Sequence, residues 1–436
     1  MSRLLLLPFC CDGYDETLLR EQTEDFRCEL EREGYCVTAS EPIRTPAEAV
    51  RAAETYHPFQ HDLPICFPVT WSDPSLAATA VRAFFGRPIV IRGINEFRLN
   101  GKRTEFSSVP ASLALAGSLR EMGVPCELLT GDGEEERRQL KAAALAGAAL
   151  SALRTARIGC CGFHFNGITA AGLDLSVLRK RFGTEVWAFD GSQLIRRLES
   201  LKADAPSLRE AEEKFKAAGI EGLSPAYRDK VLRMTAALSE IIREQNLSAL
   251  EVRCHTEFSV DYGLSLCLPL SLLGDDITVA CEADLPVLLT EHILRLLSGG
   301  RTVSYADVRT VTKEWMDLGA CGMCPAALTG GRISAGGTDG YLTNATKISG
   351  GPMTLARLLK APGGTLSMHV LSGEAADPEE PLREYGCPPY PMTRFFPRGG
   401  TGGFAAKAGA NHYAFIHGDL TAELAMFCHY ARIGIC

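Results

Sequence analysis

Short apolar runs alternate with amphipathic stretches over the first part of the chain. A brief, continuous apolar run is typical of a buried strand, and apolar residues three and four apart are typical of a helix that covers a sheet. The alternation therefore predicts βαβ units around a parallel sheet. The predicted strands are 4–10, 62–69, 88–92 and 124–129, and the predicted helices are 15–33, 74–85, 110–122 and 133–154.

The same pattern starts again near residue 155. A second series of strands and helices follows, and residues 205–246 have the Lys, Glu, Ala and Leu content of two consecutive helices. We therefore expect a domain boundary near 155 and a second parallel sheet. The predicted strands of this part are 157–163, 185–189 and 249–254, and its other predicted helices are 173–181 and 191–201.

After Gly299 the character of the sequence changes. Short Val- and Thr-rich runs are separated by many glycines and by clustered prolines, which favours antiparallel strands with long loops. The predicted domains are thus 1–155, 156–298 and 299–436. No G-x-G-x-x-G or phosphate-binding loop follows either first strand, which disfavours an enzyme that uses a nucleotide.

Composition and charge narrow the class of protein. Hydrophobic residues make up 46% and charged residues 22% of the 436 residues, as in ordinary soluble globular domains. The formal charge of −8 and the lack of a basic run with aromatics disfavour nucleic-acid binding, so a small molecule is the expected partner. The apolar run 4–11 is too short to span a bilayer, and neither a targeting signal nor a membrane association is predicted.

The sixteen cysteines are scattered, and several lie in apolar runs, where a thiol behaves as a small hydrophobe. This usage favours a reducing, cytoplasmic location. Cys321 and Cys324 form the only C-x-x-C, and no second pair follows at zinc-finger spacing. A structural metal or redox role for them is therefore disfavoured.

The first candidate for chemistry is the junction of a predicted strand, 277–281, with a predicted helix that has Pro286 in its first turn. Glu282 and Asp284 are two residues apart, so on an extended chain both side chains point to one side. Ligands of open α/β sheets bind at the carboxyl ends of strands, where these acids lie. The alternative is that Asp284 only caps the helix.

Other candidates lie further away in the chain. Carboxylates with an imidazole suit a divalent metal such as Mn²⁺, which makes Glu257 and His412 candidate ligands, although a single histidine is more often structural. The glycine-rich stretch 399–403 is more typical of a turn than of an anion site. Arg394 or Arg398 are candidates to bind sugar hydroxyls or an acidic substituent on the sugar.

These segments together resemble one family. The Glu282-Ala-Asp284 turn, the following segment 296–310 and Gly409-Ala-Asn-His412 are similar to parts of L-fucose isomerase and the wider L-fucose/L-arabinose isomerase-like group. Residues 157–163 and 181–186 resemble the opening of that group's second domain. The resemblance covers most of the chain in order.

The resemblance implies a metal-dependent aldose–ketose isomerase that works on a monosaccharide through a cis-enediol. It implies two Rossmann-like doubly wound domains followed by a β-rich domain, Mn²⁺ or another divalent cation, and a homo-oligomer such as a hexamer. Asp284 corresponds to the family's second carboxylate ligand and His412 to its histidine ligand. Arg398 and Asn411 are assigned to substrate binding.

The family's first carboxylate has no counterpart at its usual place, because 263–268 contains no acid. Glu257, next to Thr256, is the expected substitute as ligand and as acid–base partner of Asp284. Asp261 and Glu282 are the alternatives. If none of them substitutes, the chain is instead a non-catalytic sugar-binding or regulatory protein that keeps the scaffold.

Overall fold

The computed structural model describes residues 2–131, 133–164, 167–255, 257–338 and 341–436. These residues divide into two compact units, 1–153 with 422–432, and 154–421 with 433–436. The predicted boundary near 155 falls beside the first division. The further division at 298 falls between a helix and a strand of the second unit, and the three-domain organisation stays a prediction.

The first unit is built on a parallel sheet of five strands in the order β2-β1-β3-β4-β7. The order 2-1-3-4-5, counting only strands of this sheet, is one of the two common orders of doubly wound folds. Its strands are β1 (Arg3–Phe9), β2 (Cys36–Ala39), β3 (Leu63–Pro68), β4 (Val90–Arg92) and β7 (Glu127–Leu129), with a separate hairpin of β5 (Phe97–Leu99) and β6 (Lys102–Thr104).

Five helices of the first unit alternate with these strands: α1 (Glu16–Arg32), α2 (Pro46–Thr55), α3 (Pro74–Ala80), α4 (Ser108–Glu121) and α5 (Glu134–Thr155). Apolar residues of strands and helices meet in one core that includes Leu5, Phe9, Ile91 and Leu119. Strand β2 and helix α2 were not predicted. The strand has no fully buried residue, so its sequence lacks the apolar run on which the other predictions rest.

The second unit opens with a four-stranded parallel sheet in the order β11-β10-β8-β9. The strands are β8 (Arg157–Cys161), β9 (Glu185–Phe189), β10 (Ala249–Val252) and β11 (Thr278–Cys281). The helices are α6 (Leu175–Phe182), α7 (Gly191–Ser200), α8 (Pro206–Ala217), α9 (Pro225–Glu244), α10 (Cys267–Leu273) and α11 (Leu285–Leu297). The two consecutive helices predicted within 205–246 are α8 and α9, so this prediction is confirmed.

A mostly antiparallel sheet of seven strands follows in the same unit, in the order β16-β19-β12-β13-β18-β17-β20. Because β16 also pairs with β17, six of the strands close into a barrel-like ring. The strands are β12 (Ser304–Val311), β13 (Met316–Gly319), β16 (Gly351–Lys360), β17 (Leu366–Ala376), β18 (Met392–Pro397), β19 (His412–His417) and β20 (Gly434–Ile435), with a separate hairpin of β14 (Ala335–Thr338) and β15 (Tyr341–Asn344).

The short helix α12 (Phe404–Lys407) precedes β19, and α13 (Thr421–Ala431) follows it. The predictions of parallel sheets in an α/β fold and of a β-rich C-terminal part are confirmed. Within the described ranges, no helix is both long and apolar enough to cross a membrane.

Candidate active site

The turn between β11 and α11 carries the two predicted acids. Glu282 and Ala283 have φ angles of 70° and 53°, in the left-handed region that non-glycine residues seldom adopt. The chain is therefore not extended here, and the expectation that both acids point the same way along a strand is wrong. Asp284 begins α11, and its Oδ1 accepts a hydrogen bond from the backbone N–H of Val287 at 3.1 Å.

His412 nevertheless brings both acids together, one at each ring nitrogen. Its Nδ1 lies 3.0 Å from Asp284 Oδ2, and its Nε2 lies 2.8 Å from Glu282 Oε2. Asp307 Oδ1 is 3.4 Å from the same Nε2, because the β12–β19 register places Asp307 opposite His412. The imidazole is only 3% exposed. The convergence of Asp284 and His412 therefore holds in the structure.

Arg357 of β16 fixes Asp284 from the other side. Its Nη1 is 3.0 Å from Asp284 Oδ2, and its Nη2 is 3.2 Å from Oδ1. Nη1 also donates to the backbone carbonyl of His412 at 2.8 Å. Arg357 and Asp284 are each only 1% exposed, so this is a buried ion pair in which both carboxylate oxygens are occupied.

The charges of the cluster support one another. Burial opposes ionisation of Asp284, yet His412 and Arg357 outweigh it and lower the pKa of the carboxyl. The pKa of Glu282 is likewise lowered against the effect of burial, by His255 and His412. Burial opposes the charged imidazole of His412 too, but the two carboxylates raise its pKa to about 10. These contacts favour ionised Asp284 and Glu282 beside a protonated His412, and a metal ion at Nε2 would take the place of one of its protons.

A second histidine extends the cluster. His255 Nε2 lies 3.1 Å from Glu282 Oε1, and this contact raises the pKa of His255 to about 9 against the opposing effect of burial. Cys321 presents its sulfur close by, so that ligand atoms of His255, Glu282 and Cys321 all lie within 4.8 Å of one another. Burial raises the pKa of the Cys321 thiol, which keeps it neutral.

Four side chains of the cluster, His255, Glu282, Asp307 and Cys321, line a cavity of about 340 Å³, the size of a site for a small molecule, and the buried His412 and Asp284 are not among its lining residues. Its wall combines acids and bases of the cluster with aromatic and small polar side chains. The lining residues are His255, Glu282, Asp307, Arg309, Cys321, Tyr341, Thr343, Glu384, Cys387, Pro388 and Tyr390.

Glu257 lies elsewhere in the same unit. It lines a separate cavity of about 680 Å³ together with Asp190, Arg253 and Asp261, and its carboxylate is 3.5 Å from Arg253 Nε. The expectation that Glu257 joins Asp284 and His412 is therefore not met, and the same holds for Asp261. The reason is local: 257–262 forms a turn of π-helix after β10, whereas Glu282 stands at the end of β11. Thr256 lies outside the described residues.

Glu282, the remaining alternative, contacts His412 directly. The sequence analysis placed it beside Asp284 as a pair of carboxylates, but the resemblance favoured Glu257 as the first carboxylate. The left-handed turn at 282–283 is what brings both acids to one imidazole.

The residues expected to bind substrate divide in two groups. Asn411 lies at the cluster, where its Nδ2 donates to Asp307 Oδ1 at 2.6 Å. Arg398 is exposed and pairs with Asp419 at 2.6 Å. Arg394 holds Asp317 with two hydrogen bonds and stacks on Trp315, and it does not line the cavity. The arginine that does line it is Arg309, which sequence reasoning missed.

Asp307 and Arg357 were missed as well, and each left a signal in the sequence. Asp307, like Arg309, is a charged residue within the segment 296–310 that carries the family resemblance. Arg357 interrupts the apolar strand Gly351–Lys360, and a charge at a buried strand position requires a partner. In the structure that partner is Asp284.

Two more acids are buried close to the cluster. Glu251 on β10 is 4% exposed with Oε2 unpartnered, and Glu291 on α11 is fully buried with neither oxygen hydrogen-bonded among the described residues. Burial, with a smaller contribution from Asp284, raises the pKa of Glu251 to about 8 and that of Glu291 well above its usual value. Both are therefore largely protonated at neutral pH.

The donor set suits a divalent cation. Although Glu282 Oε2 is only 2.8 Å away, His412 Nε2 has no hydrogen-bond partner within the described residues, since that oxygen lies outside the directions a hydrogen bond requires. A buried ring nitrogen without a hydrogen bond, beside two carboxylates, is the arrangement expected of a ligand to a hard metal ion. The other nitrogen bonds to a carboxylate, as metal-binding histidines usually do.

Fold and site together define an α/β protein with a carboxylate–imidazole centre that opens on a small-molecule cavity. No family model matches the chain. It is similar to the sulfoquinovose isomerase of Alkalicoccus urumqiensis, with 26% identity over 372 residues, 82% of this chain and 81% of that protein. The sulfoquinovose isomerase of Clostridium sp. (strain MSTE9) is 25% identical over 69% of this chain and 70% of its own length.

A third sulfoquinovose isomerase, from Priestia megaterium, is 22% identical over 72% of each chain. These similarities support the prediction of an isomerase enzyme that acts on a sugar. The finer resemblance to L-fucose isomerases stays a prediction.

Proposed function

We propose that the chain is an aldose–ketose isomerase whose substrate is sulfoquinovose or a closely related sulfonated sugar. The observation that carries the proposal is the similarity to a sulfoquinovose isomerase across 82% of the chain. The cavity beside His412 supports it, because acids and bases that can move protons line a space of suitable size. In this proposal the two parallel sheets belong to Rossmann-like domains.

The reaction moves a proton between neighbouring carbons. The proton on C2 of the aldose is removed while the C1 carbonyl oxygen gains a proton, which gives a cis-enediol. A proton is then returned to C1 while the C2 hydroxyl loses its proton, which gives the ketose. Glu282 and Asp307 are the carboxylates that line the cavity beside His412, so we assign to them the acceptance and return of this proton. His255, protonated because its pKa is raised to about 9, is placed to donate a hydrogen bond to a substrate oxygen.

Mn²⁺ or another divalent cation would be held by His412 Nε2 with Glu282 and Asp307. When bound, such an ion supplies Lewis acidity that polarises the substrate oxygens. Asp284 was expected to be a ligand and a catalytic acid–base group. We propose instead that it positions His412, because Arg357 already occupies both of its oxygens and a second cation there would be repelled.

The rival function, a sugar-binding protein without turnover, was motivated by the missing first carboxylate. Glu282, which contacts His412, can serve as the first carboxylate. The reason for preferring a sugar-binding protein without turnover is therefore weaker. We further propose a cytoplasmic homo-oligomer, as the cysteine usage and the resemblance to hexameric isomerases imply.

The test is to incubate the purified protein and Mn²⁺ with a panel of aldoses that includes sulfoquinovose and glucose, and to follow ketose formation by NMR. We expect conversion of sulfoquinovose, and its loss in Glu282→Gln. Tight binding of sulfoquinovose without conversion would favour the sugar-binding protein. Neither binding nor conversion would overturn the proposed substrate.

A further inference from the structure

Arg309 stands out among the residues of the cavity. It follows Asp307 by two residues on β12, beside a shift in the β12–β13 register, an irregularity that often re-aims a side chain at a functional site. Its Nη2 is 3.0 Å from Asp307 Oδ2, and its Nη1 is 2.8 Å from Glu384 Oε2. Its guanidinium carbon lies 4.9 Å from the centre of the Tyr390 ring.

The guanidinium of Arg309 lies on the opposite side of the Asp307 carboxylate from His412. The Asp307 carboxylate has one oxygen 3.4 Å from His412 Nε2 and the other 3.0 Å from Arg309. A single carboxylate thus separates the imidazole from the guanidinium. A short carbon chain with its reacting carbons at Glu282, the lining residue beside His412, can therefore reach Arg309 with its other end.

The charge of the cavity is unfavourable for an anionic sugar as it stands. Three acids line it, Glu282, Asp307 and Glu384, against Arg309 and His255. Removing the Glu384 carboxylate from the wall changes this balance by one charge and exposes one edge of the guanidinium. Arg309 Nε is also buried without a hydrogen-bond partner among the described residues, so the guanidinium has unused donor capacity.

Of the two carboxylates that pair with Arg309, Glu384 can be displaced with the smaller loss of free energy. It belongs to the connection between β17 and β18, outside any helix or strand, and its side chain is 47% exposed. Ion pairs with such exposure contribute little, because water and salt screen them. Asp307, in contrast, is held in strand β12 and is 13% exposed.

We propose that Arg309 binds the anionic end of the substrate, a sulfonate at the carbon furthest from the reacting pair, and that Glu384 occupies the guanidinium until substrate replaces it. The proposal rests on the proposed function for its substrate class. A guanidinium presents several donors in a fixed plane, which suits an oxyanion with several acceptor oxygens. Glu384 then acts as an internal competitor of the substrate.

The test compares two sugars that differ only at C6, sulfoquinovose and glucose. In Arg309→Met, kcat/KM for sulfoquinovose should fall roughly tenfold to a hundredfold, the range for a lost hydrogen bond to a charged group. The value for glucose should fall clearly less, because glucose has no anionic end and is affected only through the contact of Arg309 with Asp307. In Glu384→Gln, KM for sulfoquinovose should fall by up to about fivefold, since an exposed ion pair competes weakly.

Matched controls come from an exposed ion pair of the same unit, Arg243 with Glu210 at 2.7 Å. Arg243→Met and Glu210→Gln should leave both sugars unaffected. If Arg309→Met does not fold, Arg309→Lys keeps the charge but loses the planar donor set, and it should show a smaller loss that is still confined to sulfoquinovose.

Equal losses for both sugars in Arg309→Met, or no loss for either, would overturn the proposal. If the parent protein converts neither sugar, the proposed function fails, and the proposal is then decided by calorimetry of sulfoquinovose binding. Weaker binding to Arg309→Met than to the parent, with tighter binding to Glu384→Gln, would support it. Equal binding to all three proteins would overturn it.

Discussion

His412 Nδ1 lies 3.0 Å from Asp284 Oδ2, although 128 positions separate the two residues in the chain. Both side chains are buried, and Arg357 holds the same carboxylate with two hydrogen bonds. A carboxylate at one ring nitrogen fixes the orientation of an imidazole and leaves the other nitrogen for ligand chemistry. The direction in which His412 Nε2 faces is therefore set by Asp284.

Asp284→Asn should destabilise the protein by more than the loss of a helix cap. Asparagine can still cap α11, and a cap alone is worth about 1 kcal/mol. The substitution also leaves Arg357 as an unpaired buried charge, which costs roughly 3–5 kcal/mol. Urea denaturation should show this larger loss.

The double variant Asp284→Asn with Arg357→Met separates the two effects. Because it removes both charges, it should be more stable than the sum of the two single losses predicts. Additive losses would show that the ion pair is not coupled as the distances indicate.

Mn²⁺ should stabilise the parent protein against heat, because an ion that binds only the folded state adds about 2.7 kcal/mol at a hundred times its dissociation constant. A chelator should reverse the shift in Tm. Glu282→Gln and His412→Ala should lose most of the shift.

Glu257→Gln is the matched control for that experiment, since Glu257 lines the other cavity. It should keep the full Mn²⁺ shift. A loss in Glu257→Gln with retention in Glu282→Gln would restore the expectation drawn from sequence.

The sequence predicts those parts of the fold that depend on neighbouring residues in the chain. Continuous apolar runs such as those of β1 and β3 are visible in sequence, because full burial on a parallel sheet selects them. Asp284 was a candidate from its place at the end of a strand and His412 as an imidazole that suits a metal, and the resemblance joined them in one site. The choice between Glu257 and Glu282 was missed because it depends on a left-handed turn at Glu282 and Ala283, which contain no glycine to announce it.

The ion pair of Arg357 with Asp284 and that of Arg309 with Glu384 are separated by 73 and 75 positions. The first pair joins β16 to the start of α11, and the second joins β12 to the connection between β17 and β18, so both depend on how distant elements pack. Neither contact leaves a local pattern in the sequence.

Glu251 should make the free energy of unfolding decrease as the pH rises, and Glu251→Gln should remove this effect. Burial raises its pKa from 4.5 to about 8, so the folded protein binds a proton more tightly than the unfolded chain does. The stabilising effect of this proton is fully present below about 4.5 and is lost as pH rises to about 8.

In Glu251→Gln this dependence is absent. The stability of the variant relative to the parent should therefore increase by up to about 1.4 kcal/mol per pH unit across that window. Denaturation at pH values from 5 to about 8 checks it. Glu213→Gln, at an exposed helix position, is the control and should show no such trend. A constant difference between parent and Glu251→Gln would contradict the buried, protonated state.

Asp307→Asn should separate turnover from anion binding, because the Asp307 carboxylate faces both His412 and Arg309. The amide cannot accept a proton and is a weaker ligand, so kcat should fall at least about a hundredfold, the lower end of what a positioned acid–base group supplies. Arg309 loses a competing partner at the same time, so KM for sulfoquinovose should stay equal or fall. Steady-state kinetics with sulfoquinovose and glucose measure both effects.

Asp317→Asn is the matched control, because Asp317 pairs with Arg394 in the same antiparallel sheet but outside the cavity. It should lose stability while each folded molecule keeps its turnover. A rise in KM without a change in kcat in Asp307→Asn would instead show that Asp307 only binds the sugar, and Glu282 would then have to move the proton alone.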